Sequence, residues 1–257
     1  MATWISHLRI AEDLLDVLPG LDEAAFAFGS LAPDSGVPNA DWTAFDPPKE
    51  VTHFLESREG VYTQDLQFYR EYMQGLTLNG NAARYSFVLG YFFHLVCDSL
   101  WWIFICQSSK KAYAALFAER GNAAAWETLK DDWYGLDHLY VRDHSNSLFW
   151  RVVMRAPNPP MYVSIVPGPA LHQQLDFIRT YYTQPEPGRV LDRPFPYLNE
   201  ATWSRYVSDS IAAVLKIHAW LQSRHAPPDT QTALSLLDEQ DIQPYIPPLG
   251  DVPPAQG

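Results

Sequence analysis

The sequence predicts an all-α protein, a compact multi-helix domain around one buried central helix. Apolar residues recur at three- and four-residue steps over several long segments, which is the period of a helix with one buried face. Residues 87–106 are apolar almost throughout, as expected of a helix that others surround. With 257 residues, of which 47% are hydrophobic, the chain is long enough to bury a substantial core.

The first predicted helix covers residues 4–18. Thr3 is a suitable N-cap, and a Pro-Gly pair ends the helix. His7 lies on the same face as the apolar residues, so its imidazole is expected to be buried. A second short helix is expected over residues 21–28, and residues 29–48 are rich enough in Gly, Pro, Asp and Asn to predict a loop.

Most of the remaining chain is also predicted to be helical, with Asn79 or Asn81 capping the central helix. The segments are residues 61–75, 82–107, 109–120, 123–155, 170–183 and 200–224. Seven prolines follow residue 224, and that density prevents long helices. We therefore divide the chain into an all-helical domain over residues 1–224 and a Pro-rich C-terminal tail over residues 225–257, which wraps the surface or stays mobile.

Residues 87–106 are also long enough to span a membrane, which is the main alternative interpretation. Against it, His94 and Asp98 lie near the middle, where an aspartate costs about 3 kcal/mol on insertion scales. Trp101 and Trp102 lie well inside the segment as well. Because the amphipathic helices elsewhere need an apolar partner, we favour a buried core helix and predict no transmembrane span.

The charge of the chain limits its partners. A formal net charge of -12, with no stripe of Lys and Arg, opposes binding to long nucleic acids and to anionic lipid surfaces. Cys97 and Cys106 lie nine positions apart on one predicted helix, about 13 Å along its axis, which is too far for a disulfide. The first residues have no basic and apolar leader pattern, so we expect a cytoplasmic protein.

Five residues suggest a metal site. His94 and Asp98 are four positions apart and share one face of the apolar helix, where a carboxylate must be neutral, paired or metal-bound. His7 lies on the apolar face of the first helix, while Asp34 and His53 lie in or near loops. Singly, each has a simpler explanation: a core histidine bonded to backbone, a turn cap or an ion pair. Together, three imidazoles and two carboxylates suit zinc, and one aspartate could bridge two ions.

Four motifs occur in a fixed order along the first part of the chain: SHLRIAE, FGSLAPD, THF and LGYFFHLVCD. In that order they resemble the zinc-dependent phospholipase C family, most clearly over residues 1–102. The resemblance implies the all-helical fold that this family shares with the fungal P1-type nucleases. It also implies that Asp34, His53, His94 and Asp98 hold one zinc ion. His7 would help to hold a second, with Asp98 as the bridge.

The sequence departs from the family pattern in two respects. Family enzymes begin, after processing, with a tryptophan whose amino group and carbonyl bind zinc, whereas Trp4 is internal here. The family also holds a third zinc with two later histidines and a glutamate in an H-x-x-x-E pattern, which this sequence lacks. Asp137 and His138 are candidates for a substitute ligand, and a solvated polar helix face is the alternative interpretation. We therefore expect one or two Zn²⁺ ions.

The resemblance implies a zinc-dependent hydrolase of phosphate esters, with phospholipase C-like hydrolysis of a small phosphodiester or a phospholipid head group. Close cations bind phosphoryl oxygens, and a metal-held water loses its proton near neutral pH and attacks in line. Asp34 is the predicted catalytic residue, which orients that water or accepts its proton. The alternative is a non-catalytic member of the same fold, in which the metal only joins the first helix to the central one.

Overall fold

A computed structural model describes residues 1–40, 44–56, 62–184 and 186–245. Its helices are α1 (Trp4–Val17), α2 (Glu23–Gly29), α3 (Lys49–Thr52), α4 (Asp65–Phe68), α5 (Ala82–Trp101), α6 (Ser108–Ala112), α7 (Ala114–Asp143), α8 (Gly168–Thr183) and α9 (Glu200–Ser223). π-Helical turns extend α4 over Tyr69–Met73 and α5 over Trp102–Gln107, and a third covers Phe149–Val153. Two-residue strands β1 (Val37–Pro38) and β2 (Phe45–Asp46) pair antiparallel. The predicted all-α class is confirmed.

Local chemistry sets the helix ends. The Thr3 side chain accepts a hydrogen bond from the backbone N–H of Ser6 at 3.3 Å, and Asn81 accepts one from the N–H of Arg84 at 2.9 Å. Both predicted N-caps are therefore confirmed. The helix predicted over residues 123–155 is interrupted after Asp143, where a run of small polar residues competes for backbone hydrogen bonds.

Helix α5 is the centre of the fold. Helices α1, α2 and α9 pack against it, and its residues from 85 to 101 are buried. The stretch Ala82–Ala112 is long and apolar enough to cross a membrane, but 94% of its most apolar part is buried inside the protein. A core helix requires such burial. The segment is therefore better interpreted as a core helix than as a membrane span.

Helices α2 and α5 approach each other so closely that their backbones touch. A Cβ on Gly90 would lie 2.4 Å from the carbonyl oxygen of Phe26, and one on Gly29 would lie 2.1 Å from that of Phe87. Only glycine fits at these two positions. The close approach also brings Ser30, the residue after α2, beside α5 one turn before His94.

The described part of the predicted tail, residues 225–245, contacts the helices. Ala233 is fully buried, and its N–H donates a 2.6 Å hydrogen bond to the buried carboxylate of Asp65 in α4. The Ser108 hydroxyl in α6 donates to the carbonyl of Tyr245 at 2.7 Å. The domain boundary at residue 224 stays a prediction, and residues 246–257 lie outside the described part.

Substituting Gly90→Ala should test the link between helix packing and the predicted metal site. The added methyl group must push α2 away from α5, so we expect destabilisation by about 2–4 kcal/mol in chemical denaturation and weaker zinc binding. Gly168→Ala is the matched control, because its Cβ would meet only the Met161 side chain at 3.6 Å. Unchanged stability of the Gly90 variant would show that the two helices can separate without cost.

Candidate metal centre

The structure brings the five residues predicted as metal ligands together around α5. His94 and Asp98 project from α5 itself, one turn apart. His7 comes from α1, Asp34 ends a 3₁₀ turn that follows α2, and His53 directly follows α3. They form two ligand groups, one of His7, His94 and Asp98 and one of Asp34, His53 and His94, whose ligand atoms lie within 4.8 Å of one another.

Four ligand atoms converge closely. Nε2 of His53 lies 3.2 Å from Oδ1 of Asp34 and 3.3 Å from Nε2 of His94. Oδ2 of Asp98 lies 3.5 Å from both of these Nε2 atoms. Ligands bound tetrahedrally to zinc at 2.0–2.1 Å are about 3.3–3.4 Å from one another. The four observed distances are close to this ligand-to-ligand spacing.

Hydrogen bonds at Nδ1 of His94 and of His53 fix how these two imidazole rings face each other. Nδ1 of His94 donates to the carbonyl of Ser30 at 2.8 Å. Nδ1 of His53 lies 3.0 Å from the Thr52 hydroxyl, which itself donates to the carbonyl of Lys49. With the proton on Nδ1, each Nε2 presents a lone pair to the other. Two lone pairs 3.3 Å apart repel unless a proton or a cation lies between them.

His7 approaches the other oxygen of Asp98. Its Nε2 is 3.4 Å from Oδ1 of Asp98, and its ring stacks on that of His94 with centroids 3.7 Å apart. The backbone N–H of Ala2 donates to the same oxygen at 2.8 Å. Nε2 of His7 and Oδ2 of Asp98 are both buried without a hydrogen-bond partner. Such buried unpaired atoms are rare, and a cation bound here would satisfy both of them.

The electrostatics of the site favour the metal-binding protonation states of four residues: His7, His53, Asp34 and Asp98. Burial, helped by the charge of His94, lowers the pKa of His7 to about 4. Burial also lowers the pKa of His53. Burial alone would raise the pKa of Asp98, but the charge of His94 and the contact with His7 outweigh it and hold that pKa well below its usual range. At Asp34, His53 and His94 likewise outweigh burial and hold the pKa of the carboxyl below its usual range. Neutral imidazoles beside charged carboxylates are the forms zinc requires.

His94 differs from the other two histidines. Burial would lower its pKa, but the charge of Asp98 outweighs burial, and the pKa of His94 is raised. A proton on Nε2 relieves the repulsion between the two facing imidazoles when no cation does so. Zinc binding must therefore displace this proton.

One side of the site opens to a pocket of about 320 Å³, which Asp34 and His53 line. The Asp34 side chain is 14% exposed, whereas that of Asp98 is 1% exposed. Aromatic side chains form much of the remaining pocket wall: Trp4, Phe45, Trp133, Tyr134 and Phe177. A second pocket, of about 220 Å³, is bordered by Asp98 and shares Lys130 and Trp133 with the first.

Asp137 and His138 are not members of either ligand group. Asp137 is fully buried and accepts hydrogen bonds from the hydroxyls of Thr3 at 2.7 Å and Tyr182 at 2.6 Å. It thus supports the residue that caps α1, the helix that carries His7. His138 packs against the rings of Tyr181 and Tyr182. The polar face predicted for this part of α7 is therefore partly buried, and its contacts are with protein groups.

Sequence reasoning missed the groups that support the ligands. Ser30 and Thr52 stand within the quoted motifs, but no sequence pattern reveals that a backbone carbonyl and a hydroxyl orient two histidines. The Tyr91 hydroxyl, which donates to the carbonyl of Thr52 at 2.6 Å and so ties α3 to α5, was also missed. Lys49 and Lys130 line the pocket without any signal in the sequence.

Comparison with known proteins gave one finding. Residues 6–120, somewhat less than half of the chain, match a family model described as zinc dependent phospholipase C. The chain matches no curated protein and no solved structure. The matched segment contains the five residues above, and the family's zinc dependence agrees with the buried His and Asp groups.

Zinc should be present in the purified protein and should stabilise it. A metal that binds only the folded state contributes about 4 kcal/mol at a thousandfold excess over its Kd, so a strong chelator should lower Tm by about 10 °C. Elemental analysis and thermal unfolding measure both effects. His94→Ala should abolish the response to chelator, while His225→Ala, at an exposed position, should retain it. A purified protein without stoichiometric transition metal, whose Tm added zinc does not raise, would rule out the metal site.

Proposed function

The match over residues 6–120 supports the assignment of this chain to the zinc-dependent phospholipase C family, and on that premise we propose that it is a zinc-dependent hydrolase of phosphate esters. One observation carries the proposal. Nε2 of His53 lies 3.2–3.5 Å from ligand atoms of Asp34, His94 and Asp98, beside an open pocket.

In this proposal the four residues hold one zinc ion, and His7 contributes to a second on the Oδ1 side of Asp98. The first site would have four protein donors, whereas Nε2 of His7 and Oδ1 of Asp98 are the donors described for the second. Asp98 presents one oxygen to His53 and His94 and the other to His7, which is the arrangement of a bridging carboxylate. Zinc supplies a Lewis acid that polarises a phosphoryl oxygen and lowers the pKa of a water molecule toward about 7.

Asp34 is the proposed catalytic residue. Among the five, its side chain has the greatest access to the pocket, so it can touch both the metal and an incoming water. His53 and His94 keep its pKa below the usual range, so the carboxylate stays charged and accepts hydrogen bonds. A carboxylate with so low a pKa is a weak base, which favours orientation of the nucleophilic water over removal of its proton.

The other residues of the site keep the reacting groups in place. The carbonyl of Ser30 and the hydroxyl of Thr52 hold the rings of His94 and His53 with Nε2 turned inward. Orientation of this kind by outer hydrogen-bond partners typically changes metal affinity or activity by 10–100-fold. Aromatic side chains make the pocket wall less polar, which strengthens the electrostatic interactions beside it.

The pocket limits the substrate to a small group. Its volume of about 320 Å³ suits a phosphate ester head group. The net charge of -12 opposes approach of long nucleic acids, so we propose a small phosphodiester or a phospholipid head group.

A second candidate function is a non-catalytic protein that metal only stabilises. It is supported by the group of His7, His94 and Asp98, which is buried and joins α1 to α5. Within the described parts of the chain, the ligand groups are those around α5, and no third group accompanies them. The two functions predict different results when Asp34 is substituted.

Asp34→Asn and Asp98→Asn should separate catalysis from stability. Asp34→Asn should lower kcat for bis(p-nitrophenyl) phosphate by about 100-fold or more, with Tm close to that of the parent protein, because its side chain reaches the pocket. Asp98→Asn should lose zinc and lower Tm, because it leaves buried imidazoles without a charged partner. Asp16→Asn, at an exposed position of α1, is the control. A parent protein that holds zinc but hydrolyses no phosphate ester would favour the non-catalytic function.

A further inference from the structure

Two lysines line the same pocket as Asp34 and His53. Lys49 opens α3 and Lys130 lies on α7, so they reach the pocket from separate parts of the chain. In the described ranges, neither ammonium has a carboxylate within ion-pair distance. Eight of the described Lys and Arg side chains do have one, as in the pair of Lys216 with Asp241.

The two ammonium groups act electrostatically on each other and on the site. The pKa of Lys130 is lowered, first by its partial removal from water and then by the charge of Lys49. The charge of Lys49 also lowers the pKa values of Asp34 and His53. Two like charges at one pocket without a paired carboxylate repel each other, and an anion bound between them would reduce that repulsion.

When the proposed site holds a single zinc ion, its charge balance makes these lysines decisive. Two carboxylates, Asp34 and Asp98, neutralise one Zn²⁺, and the histidines that bind it are neutral. A site with one zinc therefore has no net charge of its own. The positive potential of the pocket then comes from Lys49 and Lys130.

A competing interpretation is that tryptophans in the second pocket bind a quaternary ammonium group. Trp102, Trp126 and Trp133 border that pocket, and tryptophan faces attract cations. However, Lys130 lies on the same wall and would repel such a group. The Lys110 ammonium already lies 5.1 Å from the ring centre of Trp102 and 5.8 Å from that of Trp126.

We propose that Lys49 and Lys130 form an anion clamp that selects phosphate esters without an ammonium group, whose net charge is more negative, over zwitterionic head groups. The inference rests on the proposed function for the identity of the reacting phosphate. The zinc ligands hold that phosphate, and the lysines bind its remaining charge or an anionic group next to it. Lys130 borders both pockets, so its positive charge acts on each of them.

Binding calorimetry on the protein as purified tests the clamp without relying on turnover. The probes are glycerol 2-phosphate and phosphocholine, which share a phosphate monoester and differ by one positive charge. The parent protein should bind glycerol phosphate about tenfold more tightly than phosphocholine. Lys49→Gln and Lys130→Gln should each weaken glycerol phosphate binding about fivefold, and the double variant should reduce the preference to about twofold.

Lys111→Gln removes an equally exposed positive charge on α6, away from both pockets, and should bind both probes like the parent. Lys130→Arg retains the charge and should keep the preference. Equal affinity of the parent for the two probes, no measurable binding of glycerol phosphate, or an unchanged preference in the double variant would overturn the clamp. Hydrolysis of bis(p-nitrophenyl) phosphate, measured on the same samples, tests the proposed function separately, since a clamp can bind anions in a protein that turns over no ester.

Discussion

The buried carboxylate of Asp98 is the constraint on which the rest of the structure depends. It lies on an apolar helix with 1% of its side chain exposed, where an unpaired charge is strongly destabilising. Three histidines from α1, from the end of α3 and from α5 itself surround it at 3.4–3.5 Å. The positions of these elements therefore depend on one charge, which only protons or a cation can balance.

Helix packing extends that constraint to the backbone. Gly90 lets α2 touch α5, and this contact brings the carbonyl of Ser30 to Nδ1 of His94. The hydrogen bond turns Nε2 of His94 toward Asp98 and His53. The Tyr91 hydroxyl, one turn from His94, holds the carbonyl of Thr52 and so positions the adjacent His53. Residues without any ligand chemistry thus decide where the ligand atoms meet.

The sequence predicted most of this fold, and it singled out five residues that the structure brings together, for identifiable reasons. The helical period and the caps at Thr3 and Asn81 are local signals, and the structure agrees with them. A histidine or an aspartate within an apolar segment is conspicuous, which is why His7, His94 and Asp98 could be grouped. Asp34 and His53, in contrast, lie in or near loops and lack that signal. Lys130 could not be found in this way. A lysine on a helix surface is ordinary, and only the packing of α7 beside the loop around Asp34 gives it a role.

The depth of each ligand separates two tasks within one cluster. At the closed end, His7 and Asp98 have side chains 1% exposed, and a cation there would mainly hold α1 against α5. At the open end, the Asp34 side chain is 14% exposed and meets the pocket that the two lysines line. Electrostatic interactions strengthen as water is excluded, so the closed end favours tight binding, while the open end leaves room for a substrate and a water molecule. Asp98 belongs to both ends of the cluster, whereas Asp34 belongs only to the open end. Substitutions at these two residues can therefore change the stability of the protein and its catalytic activity independently.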